Sequence, residues 1–260
     1  MLIGIIYFFV TLIVISIGAI AGISGGVVLR PIFDAIDYHD PLSIAFYMGV
    51  AVLTMSVSST IKQITMGTKI NLQKVFALAT GAFVGGILGQ LIMDAILYQV
   101  GEGELQIIQG ILSIVSLIFV FIFTRENGKT RDFKSMFWYI LIGLGLGTFA
   151  TLLAIGGGPI NVIVFVIFFG ITLKEATVYS ITTIFFAQVA RLGAIGLEHG
   201  FSGFGLSTLF FIIPAAIIGG IIGGRMNVIL SETSVMRVFK FVVMGTILLN
   251  TYNVARMILN

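Results

Sequence analysis

The stretch "GAIAGISGGVVLRPIFDAIDYHD", residues 18–40, decides how this chain folds. It opens as an apolar helix, runs into Gly25-Gly26, and places Arg30 directly before Pro31. Paired glycines can adopt positive φ and interrupt a helix without a side-chain clash. In lipid, the N–H groups freed by such a break must be buried in protein or face a wet cavity. A guanidinium at mid-bilayer costs about 2.5–3.5 kcal/mol on insertion scales, so it usually faces a cavity on a substrate or ion path. The stretch therefore reads as a helix break built around a charge. The plainer reading is that the glycines serve packing alone, and that Arg30 snorkels to the interface or pairs with Asp34 four residues on.

Composition around this stretch makes lipid the solvent. Of 260 residues, 58% are hydrophobic and only 10% charged, and the mean hydropathy is +1.15. Soluble domains carry about 25% charged residues. Apolar segments fall at 2–21, 26–36, 42–61, 71–97, 105–123, 136–154, 158–172, 176–197, 204–224 and 234–258. Most are long enough for a bilayer core of roughly 30 Å. Segments 26–36 and 158–172 are too short, and each follows a glycine cluster. No polar region could form a separate soluble domain, so residues 1–260 read as a single membrane domain. The N-terminus has no basic n-region and no A-x-A site, and reads as a retained helix. Cysteine is absent, which excludes disulfides, thiolate metal sites and a Cys nucleophile. The net charge of +3 fits basic cytoplasmic loops rather than nucleic-acid binding.

The longest polar linker, "RENGKTRDFK" at 125–134, divides the chain into halves that match. "SGGVVLRP" (24–31) aligns with "GGGPINVI" (156–163), "AFYMG" (45–49) with "ATVYS" (176–180), and "GGILGQ" (85–90) with "GGIIGG" (219–224), at offsets of 132, 131 and 134. This gives repeat one at 1–124, a linker at 125–135 and repeat two at 136–260. Internal repeats of this kind are common in transporter folds. Lys62, Lys69 and Lys74, and the basic linker, place those turns in the cytoplasm, while the acidic 34–40 and 101–104 turns lie outside. If each glycine-broken unit is re-entrant, each half crosses three times and the repeats are inverted, with Lys174, Arg225 and Arg237 inside. If the broken units cross fully, the repeats are parallel. Charge bias favours inversion.

Gly25-Gly26 and Gly156-Gly157-Gly158 are followed by short helices whose positive N-terminal ends would aim into one mid-membrane site, with Pro159 in a first turn that needs no N–H. Two such ends make an anion site. Arg30 would supply the counter-charge, and Asn161, beside the repeat position of Arg30, an amide donor. Helix 176–197 carries Ser180, Thr183, Gln188 and Arg191 at helical spacing. Gln188 and Arg191 are path or gating candidates, and interhelical hydrogen bonding is the alternative. Gly81/Gly85/Gly89 and Ala215/Gly219/Gly223 are small-residue ridges for close packing. "GLGLG" (143–147) lacks the βαβ context of a dinucleotide site, and no G-x-x-x-x-G-K-[ST] pattern provides an ATPase. Asp94, near the outer end of a span, is a solvated interfacial acid or a proton-coupling carboxylate. His39 and His199 lack metal-ligand spacing. Nothing supports an enzyme, cofactor or metal.

The duplicated element G-x-x-x-G-x-x-G-G-x-x-x-x-P is Gly18, Gly22, Gly25, Gly26 and Pro31 in the first copy, and Gly147, Gly156, Gly157, Gly158 and Pro159 in the second. With the A-x-x-x-S opening at 176–180 and the glycine-ridged helices, it resembles the sulfite exporter TauE/SafE family over essentially the whole chain. The resemblance implies a multi-pass protein of a bacterial or archaeal cell membrane. It would be a secondary transporter, acting as an exporter, of sulfite, an organosulfonate or a related small sulfur-containing anion. Ser24 replaces a usual third glycine, Arg30 an apolar residue, and Ile163 a later proline. The expected fold is an all-α polytopic membrane protein of two inverted repeats, each a glycine-broken re-entrant unit followed by three transmembrane helices. The expected site is Ser24, Gly25, Gly26, Arg30, Gly156, Gly157, Gly158, Asn161, Gln188 and Arg191. The expected partners are a small anion, the lipid bilayer and a coupling proton or other ion. The alternative function is a non-transporting membrane scaffold or sensor.

Overall fold

The computed structural model describes residues 2–68, 71–124, 133, 135–153, 158–198, 200–201 and 203–259. Among the described residues there are ten α-helices and one 3-10 turn, and no strand. The first half holds α1 (Leu2–Ala21), α2 (Gly26–Ile36), α3 (Pro41–Thr65), α4 (Leu72–Val100) and α5 (Glu102–Phe123). The second half holds α6 (Met136–Leu152), α7 (Pro159–Phe169), α8 (Leu173–Glu198), α9 (Leu209–Ile229) and α10 (Glu232–Leu259). Local chemistry sets the boundaries. Asp40 caps α3 by accepting from Ser43 N at 2.8 Å, with Pro41 in the first turn. Asn71 caps α4 through Lys74 N at 3.2 Å. The apolar segment expected at 204–224 becomes a helix that runs on through Arg225 to Ile229, because the Arg225 side chain is exposed and needs no burial.

Among the described residues seven helices are long and apolar enough to cross a membrane, and the chain is a multi-pass membrane protein. Apolar side chains turn outward, as Val115, Ile118 and Ile122 on α5 and Ile217, Ile221 and Ile222 on α9 do. Polar ones turn inward: Ser56, Ser59 and Gln63 on α3, and Ser180, Thr183, Gln188 and Arg191 on α8, are each under 2% exposed. That arrangement puts the polar groups where neighbouring helices, not lipid, can satisfy them.

Helices α3 and α8 pack on each other in the interior. Helix α9 lies against α1 and α3, α4 against α6 and α8, α10 against α2 and α5, and α5 against α7. The glycine ridges sit at these contacts. Gly81, Gly85 and Gly89 lie on the carbonyls of Ile140, Leu144 and Thr148 of α6, and Gly143 and Gly147 answer on Leu78 and Ala82. Gly219 and Gly223 lie on Leu12 and Ser16 of α1, and Gly220 and Gly224 on Met55 and Ser59 of α3.

Contacts sort the turns into two ends. Tyr7 stacks on Phe33 at 4.2 Å and its hydroxyl meets His39 Nδ1 at 3.0 Å, while Phe46 stacks on Phe204 at 4.1 Å. At the other end Tyr139 stacks on Phe169 at 3.9 Å, Phe133 N donates to Phe168 O at 3.1 Å, and Leu173 N donates to Glu232 Oε1 at 2.8 Å. The end of α2 thus lies beside the early turns of α1, and the end of α7 beside the first turn of α6.

Candidate functional site

The first break is held from outside. Gly22 takes the left-handed conformation at φ +69, and any side chain there would run into Thr177 of α8. Ser180 Oγ donates to Gly22 O at 2.9 Å, and Asn227 Nδ2 donates to Ile20 O at 2.6 Å and Thr177 Oγ1 at 3.2 Å. The break was expected at Gly25-Gly26. Gly25 is instead right-handed at φ −52 and caps α2, and Gly26 is already helical. Gly25 is small for packing, since a Cβ there would lie 2.5 Å from Ile15 Cδ1. Ser24 is fully buried, and its carbonyl accepts from Val27 N at 3.2 Å. Val28 N donates to Gly25 O at 3.1 Å, so the first turn of α2 bonds largely to itself.

At the second break, Gln109 Nε2 of α5 donates to Leu152 O at 2.9 Å. Gly156 and Gly157 lie outside the described residues. Gly158 caps α7 with extended backbone, and Pro159 fills its first position. Gly158 abuts Val27, so the two helix starts meet. Asn161 is 2% exposed, and its Nδ2 has no partner. It lines a small cavity of about 20 Å³ with Gly158, Ser113 and Ser116, apart from the arginines.

The two arginines converge. Arg30 comes from the middle of α2, 8% exposed; its Nε pairs with Asp34 Oδ2 at 3.7 Å and its Nη1 has no partner. Arg191 comes from α8, 1% exposed, and its Nε has no partner. Both line one cavity of about 130 Å³. Their charges are near enough to repel, with Asp94 the acid that offsets Arg191. The rim includes exposed Leu42 and Glu102, at the end where Tyr7 and His39 lie. Gln90, Asp94 and Gln109 also line it; Gln90 Nε2 donates to Asp94 Oδ1 at 2.9 Å, and Gln90 Oε1 has no partner.

Sequence reasoning did not find Gln90 or Gln109, and read Asp94 as a solvated interfacial acid or a proton-coupling carboxylate. Their signal was the pairing of Gln90 with Asp94 one turn apart, beside the ridge glycine Gly89. Gln188 is buried with an unpartnered Oε1 and sits beside Gly49 in the seam between α3 and α8, one turn from Arg191. Among the described residues no group of His, Asp or Glu could hold a metal ion. Chemically, the cavity offers two guanidiniums alongside the carboxylates of Asp94 and Glu102, and its guanidinium donors suit a small oxyanion.

No curated protein and no solved structure matches the chain. The family model described as sulfite exporter TauE/SafE matches residues 7–250, from within α1 to within α10. That span takes in both glycine clusters, the two arginines, five of the seven long apolar helices in full and most of the other two, and it places this chain in the sulfite exporter TauE/SafE family of membrane transporters.

Proposed function

We propose that the protein is a secondary transporter that exports a small sulfur-containing oxyanion, sulfite or an organosulfonate, by alternating access. The observation that carries this is the pair of buried guanidiniums, Arg30 and Arg191, which line one cavity and each keep a buried nitrogen without a hydrogen-bond partner. Such charges are costly in a membrane protein unless a ligand or a paired acid compensates them. Asp34 pairs with Arg30 and Asp94 offsets Arg191, so an anion binds between the arginines by competing with these acids for the guanidinium donors. Residues 24–26, Gly158 and Asn161 lie outside the lining of that cavity and are not its donors.

The movement is that of one repeat against the other around this site. In support, α1 and α2 run antiparallel, as do α6 and α7, so each broken pair returns to the end where it began. Three crossings then remain in each half, and the halves start at opposite ends, as inverted repeats do. The neighbours exchange accordingly: α1 lies on α9 as α6 lies on α4, and α2 on α10 as α7 on α5. Lys62, Lys74 and Lys174 share one end and the acidic turns share the other, which puts the arginine cavity's mouth on the outer face of the cell membrane. Asp94 is the candidate to carry a coupling proton.

The test is flux of sulfite, sulfoacetate, taurine and sulfate in proteoliposomes. At least one of these anions moves in the wild type, and Arg30→Gln moves it far more slowly. The reading fails if none moves under any imposed ion or proton gradient.

A further inference from the structure

We infer that the end of the molecule opposite the arginine cavity carries a second oxyanion site, centred on Lys174, through which the transported anion enters or leaves. This rests on the transport reading above. A cavity of about 160 Å³ opens there, lined by Thr68, Lys174, Glu175, Val178, Tyr179, Asn227 and Val228. It is about tenfold larger than the roughly 10–15 Å³ that admits one water. Lys174 Nζ donates to Val228 O at 3.0 Å, which fixes the ammonium at the wall and leaves two of its three donors for a ligand. Glu175 also lines the cavity, but its Oε2 is turned to Thr172, accepting from Thr172 N at 3.1 Å and Thr172 Oγ1 at 3.2 Å, rather than to the ammonium.

The floor of this cavity is the first helix break. Asn227, 2% exposed, is bonded to Ile20 O and Thr177, and Thr177 packs on Gly22. Beyond the break, fully buried Ile23 and Val27 close the way, with Gly158 pressed on Val27. Arg30 stands three residues past Val27, about 4.5 Å along the axis of α2. The two cavities are thus separated by one apolar layer at the point where the helix starts meet.

Position in the chain supports the same pairing. Met93 and Asp94 of α4 line the arginine cavity, and Asn227 and Val228 of α9 line this one. They are related by the offset of 134 that aligns 85–90 with 219–224. Equivalent places in the two halves therefore carry cavities at opposite ends, as alternating access requires.

An anionic lipid headgroup offers the same chemistry as the substrate, so the test separates them. Flux of radiolabelled sulfite is measured from each face in vesicles of phosphatidylcholine alone. Lys174→Gln raises the KM seen from the lysine end about tenfold or more relative to that from the arginine end, the effect of removing a charged donor. Lys174→Arg, which keeps the charge, restores the ratio and separates loss of charge from misfolding. An unchanged ratio in Lys174→Gln overturns the inference. So does an effect that appears only when phosphatidylglycerol is added, which assigns Lys174 to lipid. Calorimetry in detergent decides the site even if wild-type flux is nil, when the transport reading alone has failed. Sulfite binding that persists in Arg30→Gln and vanishes in Arg30→Gln/Lys174→Gln supports the second site, and identical binding by the two variants overturns it.

Discussion

Arg191→Met should make the anion-free protein more stable while removing its response to anion. Methionine keeps a long unbranched side chain and discards the charge. Arg191 is 1% exposed, its Nε has no partner, and Arg30 adds a second positive charge to the same cavity. The acid it opposes, Asp94, keeps a donor from Gln90 at 2.9 Å and is only half-buried, so it loses little when Arg191 goes. Replacing a whole buried ion pair by apolar groups often stabilises by about 1–4 kcal/mol, whereas removing one partner of a well-made pair destabilises. The like charge of Arg30 on the same cavity, and a half-buried Asp94 that keeps Gln90, set Arg191→Met on the stabilising side. A gain near 2 kcal/mol corresponds to a rise in Tm of about 4–8 °C for a chain of this size. The assay is thermal unfolding in detergent, without and with sulfite. Sulfite at 100 times its Kd adds about 2.7 kcal/mol to the wild type, and much less to Arg191→Met. A variant that melts below the wild type in sulfite-free buffer would refute the reasoning, since Arg191 would then be held by structural pairing.

Other consequences follow from packing and charge. Gly81→Ala and Gly85→Ala each push a methyl group into a backbone carbonyl of α6 and cost about 1–3 kcal/mol. Gly145→Ala meets nothing within 4 Å and is neutral or stabilising by up to about 1 kcal/mol; thermal unfolding of the three variants checks the contrast. Gln109→Leu removes the bond to Leu152 O and costs about 1 kcal/mol by the same measurement. Burial among aromatic rings lowers the His39 pKa from its ordinary value of 6.5, with the Asp40 carboxylate partly opposing it. The unfolded chain then takes up a proton before the folded one does, so stability declines as pH falls below about 6.5 and levels off below the folded pKa. His39→Gln flattens that part of the pH–stability profile.

The helices and the lipid solvent were legible because hydropathy acts over about 20 residues and averages out local detail. Residues 26–36 were bounded correctly because Gly25 and the acidic turn at Asp37 mark both ends. The pivot of the break was not legible. Gly22 and Gly25 look alike in sequence, and only the approach of Thr177 selects Gly22 for the left-handed residue. Arg30 and Arg191 were each legible as charges in apolar helices, but their sharing one cavity is a tertiary fact. Gln90 and Asp94 join them because Gly86 lets α4 approach α8, resting on Ala187 and Ala190. The glycine ridges announced close packing without naming their partners, since a ridge on α4 fits any backbone that can reach it.

The most direct measurement is the structure of the protein with selenite, an analogue of sulfite whose selenium scatters anomalously. The account predicts a selenium peak in the cavity between Arg30 and Arg191, with oxygens within hydrogen-bond distance of both guanidiniums, and loss of that peak in Arg30→Gln. A selenium peak confined to the helix starts at Ser24–Gly26 and Gly158–Asn161, or an arginine cavity without selenium at saturating selenite, would contradict it.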